Sequence, residues 1–185
     1  MRLKLSKASQ VLHAGGIVAY PTEGVYGLGC DPMNQSAIEN LLTLKKRPMS
    51  KGLILVAANL EQLKPYIATL STETFNKIMQ SWPGPVNWLL PANPFSPRYL
   101  RGKHQLQAVR ISEHPVIRDL CRTFGGAIVS TSANLSGRPS ARSAIRTRLS
   151  FLNKIDYLIQ EELGNQKQAC EIRHSITNEI IRPSD

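Results

Sequence analysis

Short, uninterrupted apolar runs separated by helix-period segments leave this chain few architectures. Leu53-Ile54-Leu55-Val56-Ala57-Ala58 reads as a buried strand, and Ile17-Val18-Ala19-Tyr20, Val86 to Leu90, Ala108 to Ile111, Ala127-Ile128-Val129 and Tyr157-Leu158-Ile159 read the same way. Between them lie helical patterns: Ser6 to His13, Asn34 or Ser36 through Leu44, Thr72 to Ser81 (Phe75, Ile78 and Met79 inward), Pro115 to Phe124, and Ser143 to Leu152. Leu60 to Ile67 reads as a short helix plus connection, and Thr22 to Pro32, Pro94 to His104 and Glu161 to Gln168 read as loops. Such alternation predicts an α/β fold. A closing hairpin, Glu171 to Ile176 against Glu179 to Arg182, adds antiparallel members, so the expected sheet is mixed, with flanking helices. No repeat, low-complexity tract or linker interrupts the pattern, and residues 1–185 are expected to form a single domain.

Charge narrows the partners. Lys and Arg number 23 against 13 Asp and Glu, a formal net charge of +10, which favours nucleic acid, nucleotides or phosphorylated substrates. The cations cluster at Lys45-Lys46-Arg47 with Lys51, at Arg98, Arg101 and Lys103, and at Arg138, Arg142, Arg146 and Arg148. Cys30, Cys121 and Cys170 fit neither a disulfide framework nor zinc spacing, which fits a reducing cytoplasm. No apolar run approaches a membrane span, and Met1 to Ser6 is too short and polar for a signal peptide, so a cytoplasmic protein without membrane contact is expected.

The most chemically loaded stretch follows a strand: Ser130-Thr131-Ser132-Ala133-Asn134-Leu135-Ser136-Gly137. In extended chain Ser132 and Asn134 point to one side and offer donors and acceptors without charge. They suit a polyphosphate, a ribose or an amino acid; a turn that caps the next helix is the alternative. Lys45 and Arg47 straddle the end of a helix, because Pro48 disfavours helical geometry in the residue before it; beyond that end they can converge on one anion. Arg110 lies inside an apolar strand pattern and needs a partner, either a structural carboxylate or a ligand carboxylate. There is no nucleophile elbow, HExxH, CxxC or P-loop, and His13, His104, His114 and His174 show no metal spacing. Cations with hydroxyls remain, a set suited to phosphate chemistry, where catalysis is mainly positioning and charge stabilisation.

These residues also follow a known order. Pro21-Thr22-Glu23 with Tyr26-Gly27-Leu28, Lys45-x-Arg47, Arg47-Pro48-x-x-Lys51-Gly52-Leu53-Ile54, Trp82-Pro83-Gly84-Pro85, Ala108-Val109-Arg110 and Ser132-x-Asn134 together resemble the motifs of the YrdC/TsaC-type threonylcarbamoyl-adenylate synthases, in the short form without the C-terminal domain of the longer Sua-type members. The resemblance runs from about residue 6 to the end. It implies a twisted mixed parallel/antiparallel sheet with a concave basic face. It implies that L-threonine, bicarbonate (or CO2) and ATP give threonylcarbamoyl-AMP and pyrophosphate for the t6A modification at position 37 of ANN-decoding tRNAs.

Carried over by position, Lys45 and Arg47 are the expected catalytic pair facing the triphosphate, Ser132, Asn134, Ser140 and Arg182 join them at ATP, and Thr22, Arg110 and Ser130 bind threonine. Mg2+ is expected to arrive through the ATP phosphates, with no protein metal cage, and tRNA and other t6A-pathway proteins are the expected macromolecular partners. One position departs: Cys170 stands where the family commonly has serine, and cysteine is the weaker hydrogen-bond donor. Two other readings use the same residues. One is a non-catalytic RNA-binding maturation factor on the basic face, and the other is a carbamoyl-transfer module like those inside hydrogenase-maturation proteins. The first has no need of the spaced Ser-x-Asn or the in-strand Arg110, and the absence of attached acylphosphatase or zinc-finger segments argues against the second.

Overall fold

In a computed structural model, the structure describes residues 1–151, 154–166 and 170–183. Among these residues nine strands form one sheet in the order β7-β1-β2-β6-β3-β5-β4-β8-β9. They are β1 (Val18–Pro21), β2 (Tyr26–Gly29), β3 (Ile54–Ala57), β4 (Val86–Pro91), β5 (Leu106–Ile111), β6 (Ile128–Ser132), β7 (Tyr157–Leu158), β8 (Glu171–His174) and β9 (Ile180–Arg182). The β1–β7, β3–β5 and β4–β8 pairs are parallel and the remaining neighbours antiparallel, so the sheet is mixed as expected. The helices are α1 (Arg2–His13), α2 (Gln35–Lys45), α3 (Thr72–Met79), α4 (Pro115–Phe124) and α5 (Ala144–Phe151).

Two apolar layers hold the sheet. On one face Leu5, Ala8 and Leu12 of α1 and Val116, Ile117 and Leu120 of α4 pack on Val18, Tyr20, Val56 and Ile128. On the other, Ile38 and Leu41 of α2, Ile78 of α3 and Phe151 of α5 pack with Leu28, Leu55, Val109, Val129 and both tryptophans. Strand periodicity divides β3 between the layers: Leu55 and Ala57 face α2, and Val56 faces α4. The face under α1 and α4 is covered at one end only. On β6, Ile128 lies under α4, while Ser130 and Ser132, further along the same face, are polar. Ser130 is in register with Ile54, and Arg110 with Val56. This polar end of the sheet is where the site forms.

Several expectations are corrected. The segment read as one loop from Thr22 to Pro32 contains β2, antiparallel to both β1 and β6. Alternate glycines disguise this strand, yet they permit it. A Cβ on Gly29 would lie 2.5 Å from the Val129 carbonyl oxygen and 2.8 Å from the Tyr20 hydroxyl. Pro21 extends β1 one residue beyond the apolar run, beside the hairpin turn, where its missing N–H costs no ladder bond. On α3 only Ile78 is buried; Phe75 and Met79 stand 39% and 38% exposed, because α3 lies at the rim of the layer. Helix α1 begins four residues earlier than the pattern suggested, at Arg2. The expected α2 is confirmed: the Asn34 side chain accepts from the Ala37 N–H at 3.0 Å and caps it. Leu152, the expected end of the last helix, and Gln168, the expected end of a loop, lie outside the described residues.

Candidate active site

Two hollows meet at the open end of the sheet, and Ile54 and Arg182 line both. The smaller is a recess of about 70 Å3 walled by Thr22, Asn87, Arg110, Ser130, Ser132 and Cys170. The larger is a cleft of about 730 Å3 that includes Arg47, Lys51, Arg101, His104, Leu106, Ile172 and Ile181. Ligand pockets run from about 300 to 1,000 Å3, so the cleft has nucleotide dimensions and the recess has not.

Lys45 is the last residue of α2 and is 3% exposed. Lys46 adopts φ 52°, left-handed, which ends the helix and turns the chain so that Arg47 can reach the cleft. The Lys45 ammonium donates to the Ser132 carbonyl, to the Asn134 carbonyl at 2.7 Å and to the Asn134 carboxamide oxygen at 3.1 Å. An ammonium has three donors. All three are therefore engaged by the Ser-x-Asn turn. Burial, reinforced by the nearby Arg47 guanidinium, pushes its pKa down to about 8, while the three oxygens favour the charged form. Ser132 donates to the Asn134 carboxamide oxygen at 2.7 Å, and the Asn134 amide donates to the Arg138 carbonyl at 2.6 Å. The two side chains do meet, but not along the extended chain that was expected: β6 ends at Ser132, and a bend in which the Asn134 N–H donates to the Ser132 carbonyl at 2.9 Å brings them together.

Arg47 donates to the Gly52 carbonyl at 2.9 Å, and its Nε is buried without a hydrogen-bond partner. Burial and then Arg182 lower its pKa. Gly52, at φ 63°, brings this turn against the Arg101 segment: a Cβ there would meet the Arg101 carbonyl oxygen at 2.9 Å. The glycine thus places Lys51 and Arg101 on one cleft wall. Arg182 donates to the Cys170 carbonyl at 2.9 Å. Ser140 is half-buried between Arg138 and Ala141 and lines neither hollow.

The recess answers the question that Arg110 posed. Its Nη1 lies 2.6 Å from Glu23 Oε2, with both side chains almost wholly buried. Glu23 Oε1 accepts from the Ser112 hydroxyl at 2.5 Å. Glu23 is lowered despite its burial, by Arg110 first and Ser112 second, while Glu23 raises Arg110 against the opposing pull of burial. The partner is a structural carboxylate, and Arg110 Nε stays buried without a hydrogen bond. The Thr22 hydroxyl donates to the Val25 carbonyl at 2.7 Å across the hairpin turn. Burial raises the Cys170 thiol, which keeps it neutral on the recess wall. Asn87, 3% exposed, donates to the Glu171 carbonyl at 2.9 Å. Neither Glu23 nor Asn87 was among the expected site residues. Each had a signal: an acid two residues past the β1 strand pattern in a chain with a buried arginine, and a carboxamide inside Val86-Asn87-Trp88.

The Sua5/YciO/YrdC family model, described as "Telomere recombination", matches residues 10–184. A curated relative from Nitrosococcus oceani, named threonylcarbamoyl-AMP synthase, is 46% identical over 175 residues, 95% of each chain. One of the same name from Cellvibrio japonicus is 41% identical over 98% of this chain and 96% of its own. Among solved structures, P. abyssi Sua5 complexed with L-threonine aligns with TM-score 0.92 and 29% identity over 100% of this chain, which spans 55% of that longer protein. E. coli YciO aligns with TM-score 0.87 at 22% identity over 99% of this chain and 89% of its own, a likeness of fold. With the family model matched over residues 10–184, nearly its whole length, the chain belongs to the Sua5/YciO/YrdC family.

Proposed function

We propose that this chain catalyses threonylcarbamoyl-AMP formation, with threonine in the recess and ATP in the cleft. The observation that carries this reading is the junction itself: an arginine-bearing amino-acid recess opens beside a nucleotide-sized cleft lined by Arg47, Lys51, Arg101 and Arg182. The name shared by the curated relatives supports it.

In this reading Arg110 receives the threonine carboxylate, with Thr22 and Ser130 beside it. The amine loses a proton and forms a C–N bond to the carbon of bicarbonate or CO2, with water released in the first case. A carbamate oxygen then attacks the α-phosphorus of ATP, the bond to the β-phosphate oxygen breaks, and pyrophosphate leaves. Negative charge grows on the phosphates, and fixed cations that already face them stabilise it. Arg47 and Arg182 supply that charge directly; Ser132, on the recess wall, and Asn134, bonded to it and lining neither hollow, are the expected nucleotide contacts and act from the junction of the two hollows. Lys45 braces the Ser-x-Asn turn and adds its charge; to touch a phosphate it must exchange one of its three oxygens. No carboxylate lines the cleft among the described residues. Mg2+ would enter with the ATP, held through its phosphates.

In this reading the product feeds t6A37 formation on ANN-decoding tRNA, in the cytoplasm, with Arg146 and Arg148 of α5 as candidate contacts to the acceptor machinery. No helix among the described residues is long and apolar enough to cross a membrane. A purely RNA-binding role leaves the buried Arg110 recess without a use.

The test is pyrophosphate release from ATP with and without threonine and bicarbonate, alongside Lys45→Ala. Release that needs both substrates and is lost in the variant supports the synthase. Release without threonine points to another acceptor. No release, with salt-sensitive tRNA binding, favours the RNA-binding role.

A further inference from the structure

We propose that Glu23 is a positioning residue for substrate recognition: it fixes the guanidinium of Arg110 so that one edge is left for the substrate carboxylate. The inference rests on the reading that Arg110 receives that carboxylate.

Three observations carry it. The first is that both Glu23 oxygens are used on one strand end. Oε2 faces Arg110 Nη1 at 2.6 Å, and Oε1 accepts from Ser112, two residues further along the chain from Arg110. Ser112 is itself held, since its hydroxyl accepts from the His114 N–H at 3.1 Å. The carboxylate therefore cannot rotate without breaking one of these contacts. The second is what remains on Arg110. Its Nε and Nη1 are both buried without a hydrogen bond, the Glu23 contact being an ion pair, although a guanidinium has five donors and buried donors are almost always satisfied. The guanidinium is thus anchored by Glu23 and incompletely used where Arg110 lines the recess.

The third is how the Glu23 backbone is clamped. The segment at 161–166 closes over it: the Gly164 N–H donates to the Thr22 carbonyl at 2.9 Å and the Gln166 N–H to the Glu23 carbonyl at 2.9 Å. A Cβ on Gly164 would meet Glu23 Cα and the Glu23 carbonyl oxygen at 2.9 Å each. Only glycine allows this approach. The clamp sets Thr22, on the recess wall, and Glu23, behind Arg110, as one unit.

Glu23→Gln keeps the volume and an acceptor for Ser112 and removes the charge. The expected result is a threonine KM raised by about tenfold, the value of one well-placed hydrogen bond, with the ATP KM within about twofold. Gly164→Ala, outside the recess, should show the same split more weakly. It also carries the test if Glu23→Gln does not fold, as judged by circular dichroism and thermal melting. A folded Glu23→Gln protein with unchanged threonine KM overturns the inference, as does a parallel rise in both KM values, which a merely structural role would give. Arg110→Lys separates this from the parent reading. If it too leaves the threonine KM unchanged, Arg110 does not bind the carboxylate; if it raises it while Glu23→Gln does not, only the role of Glu23 fails.

Discussion

The recess and the cleft are neighbours with opposite electrostatic designs. In the recess the buried cation is matched: Arg110 faces Glu23, and a hydroxyl and backbone amides fix that pair. In the cleft the cations are unmatched, with Arg47, Lys51, Arg101 and Arg182 on the walls and no carboxylate among the described lining residues. The difference teaches what each hollow is built to meet. A small zwitterion carries little net charge, so its site needs orientation and can hold its arginine ready-neutralised. A polyphosphate brings the counter-charge itself, so its site can store repulsion until it arrives. Lys45, which braces the Ser-x-Asn turn and lines neither hollow, carries a cost of its own: its pKa falls to about 8, chiefly from burial and then from Arg47.

The contrast breaks most visibly at Arg110. Arg110→Ala leaves Glu23 buried without its counter-charge, a change that typically costs about 3–5 kcal/mol. Denaturant unfolding should show that loss, with threonine-dependent turnover abolished. Arg47→Ala should behave oppositely: stability within about 1 kcal/mol, because a self-repelling cation is removed, and pyrophosphate release down by about a hundredfold.

The next effect is a pH dependence. Lys45 is cationic below about 8, so turnover should fall as pH rises through that value, and Lys45→Arg should remove the fall. Stability should move the other way. Between about 8 and the ordinary 10.5, the unfolded chain keeps a proton on this lysine that the folded protein has lost, so unfolding free energy rises with pH in that window. The difference in melting temperature between wild type and Lys45→Met across those pH values isolates this contribution. The smallest effect is ionic strength. The ATP KM should rise with salt as the open cleft is screened, while the threonine KM, set by a buried pair, should barely respond.

Much of this was legible in the residues and some was not. Leu53 to Ala58, Pro115 to Phe124 and the closing hairpin have one dominant pattern each, and the structure keeps them with small shifts in their ends. The Lys45 and Arg47 placement followed from Pro48, whereas Ser132 and Asn134 meet through a bend after β6 and not through the strand periodicity that suggested their pairing. Strand β2 was hidden because Tyr26-Gly27-Leu28-Gly29 opposes strand propensity; tight packing against Tyr20 and Val129 favours glycine over it. The Glu23 network was invisible for a different reason. Arg110 advertises its need for a partner locally, but the partner lies 87 positions away in the chain, and no local pattern spans that distance. Lys45 is the same case: a cation beside a helix end suggests an outward reach, and the oxygens that claim it lie on β6 and the turn beyond.

The placing of Lys45 as the final residue of α2 also sets which insertions this chain can survive. Each added helical residue rotates everything after it by about 100° and advances it by about 1.5 Å. One extra residue between Asn34 and Lys45 would carry the ammonium off the Ser-x-Asn turn and swing Arg47 out of the cleft, even if the apolar stripe re-formed. Insertion in α2 is therefore far more damaging than the same insertion at Pro94-Phe95, which are exposed, lie outside both apolar layers and line neither hollow. Gene-length variation in this family should accumulate in the second place and be purged from the first.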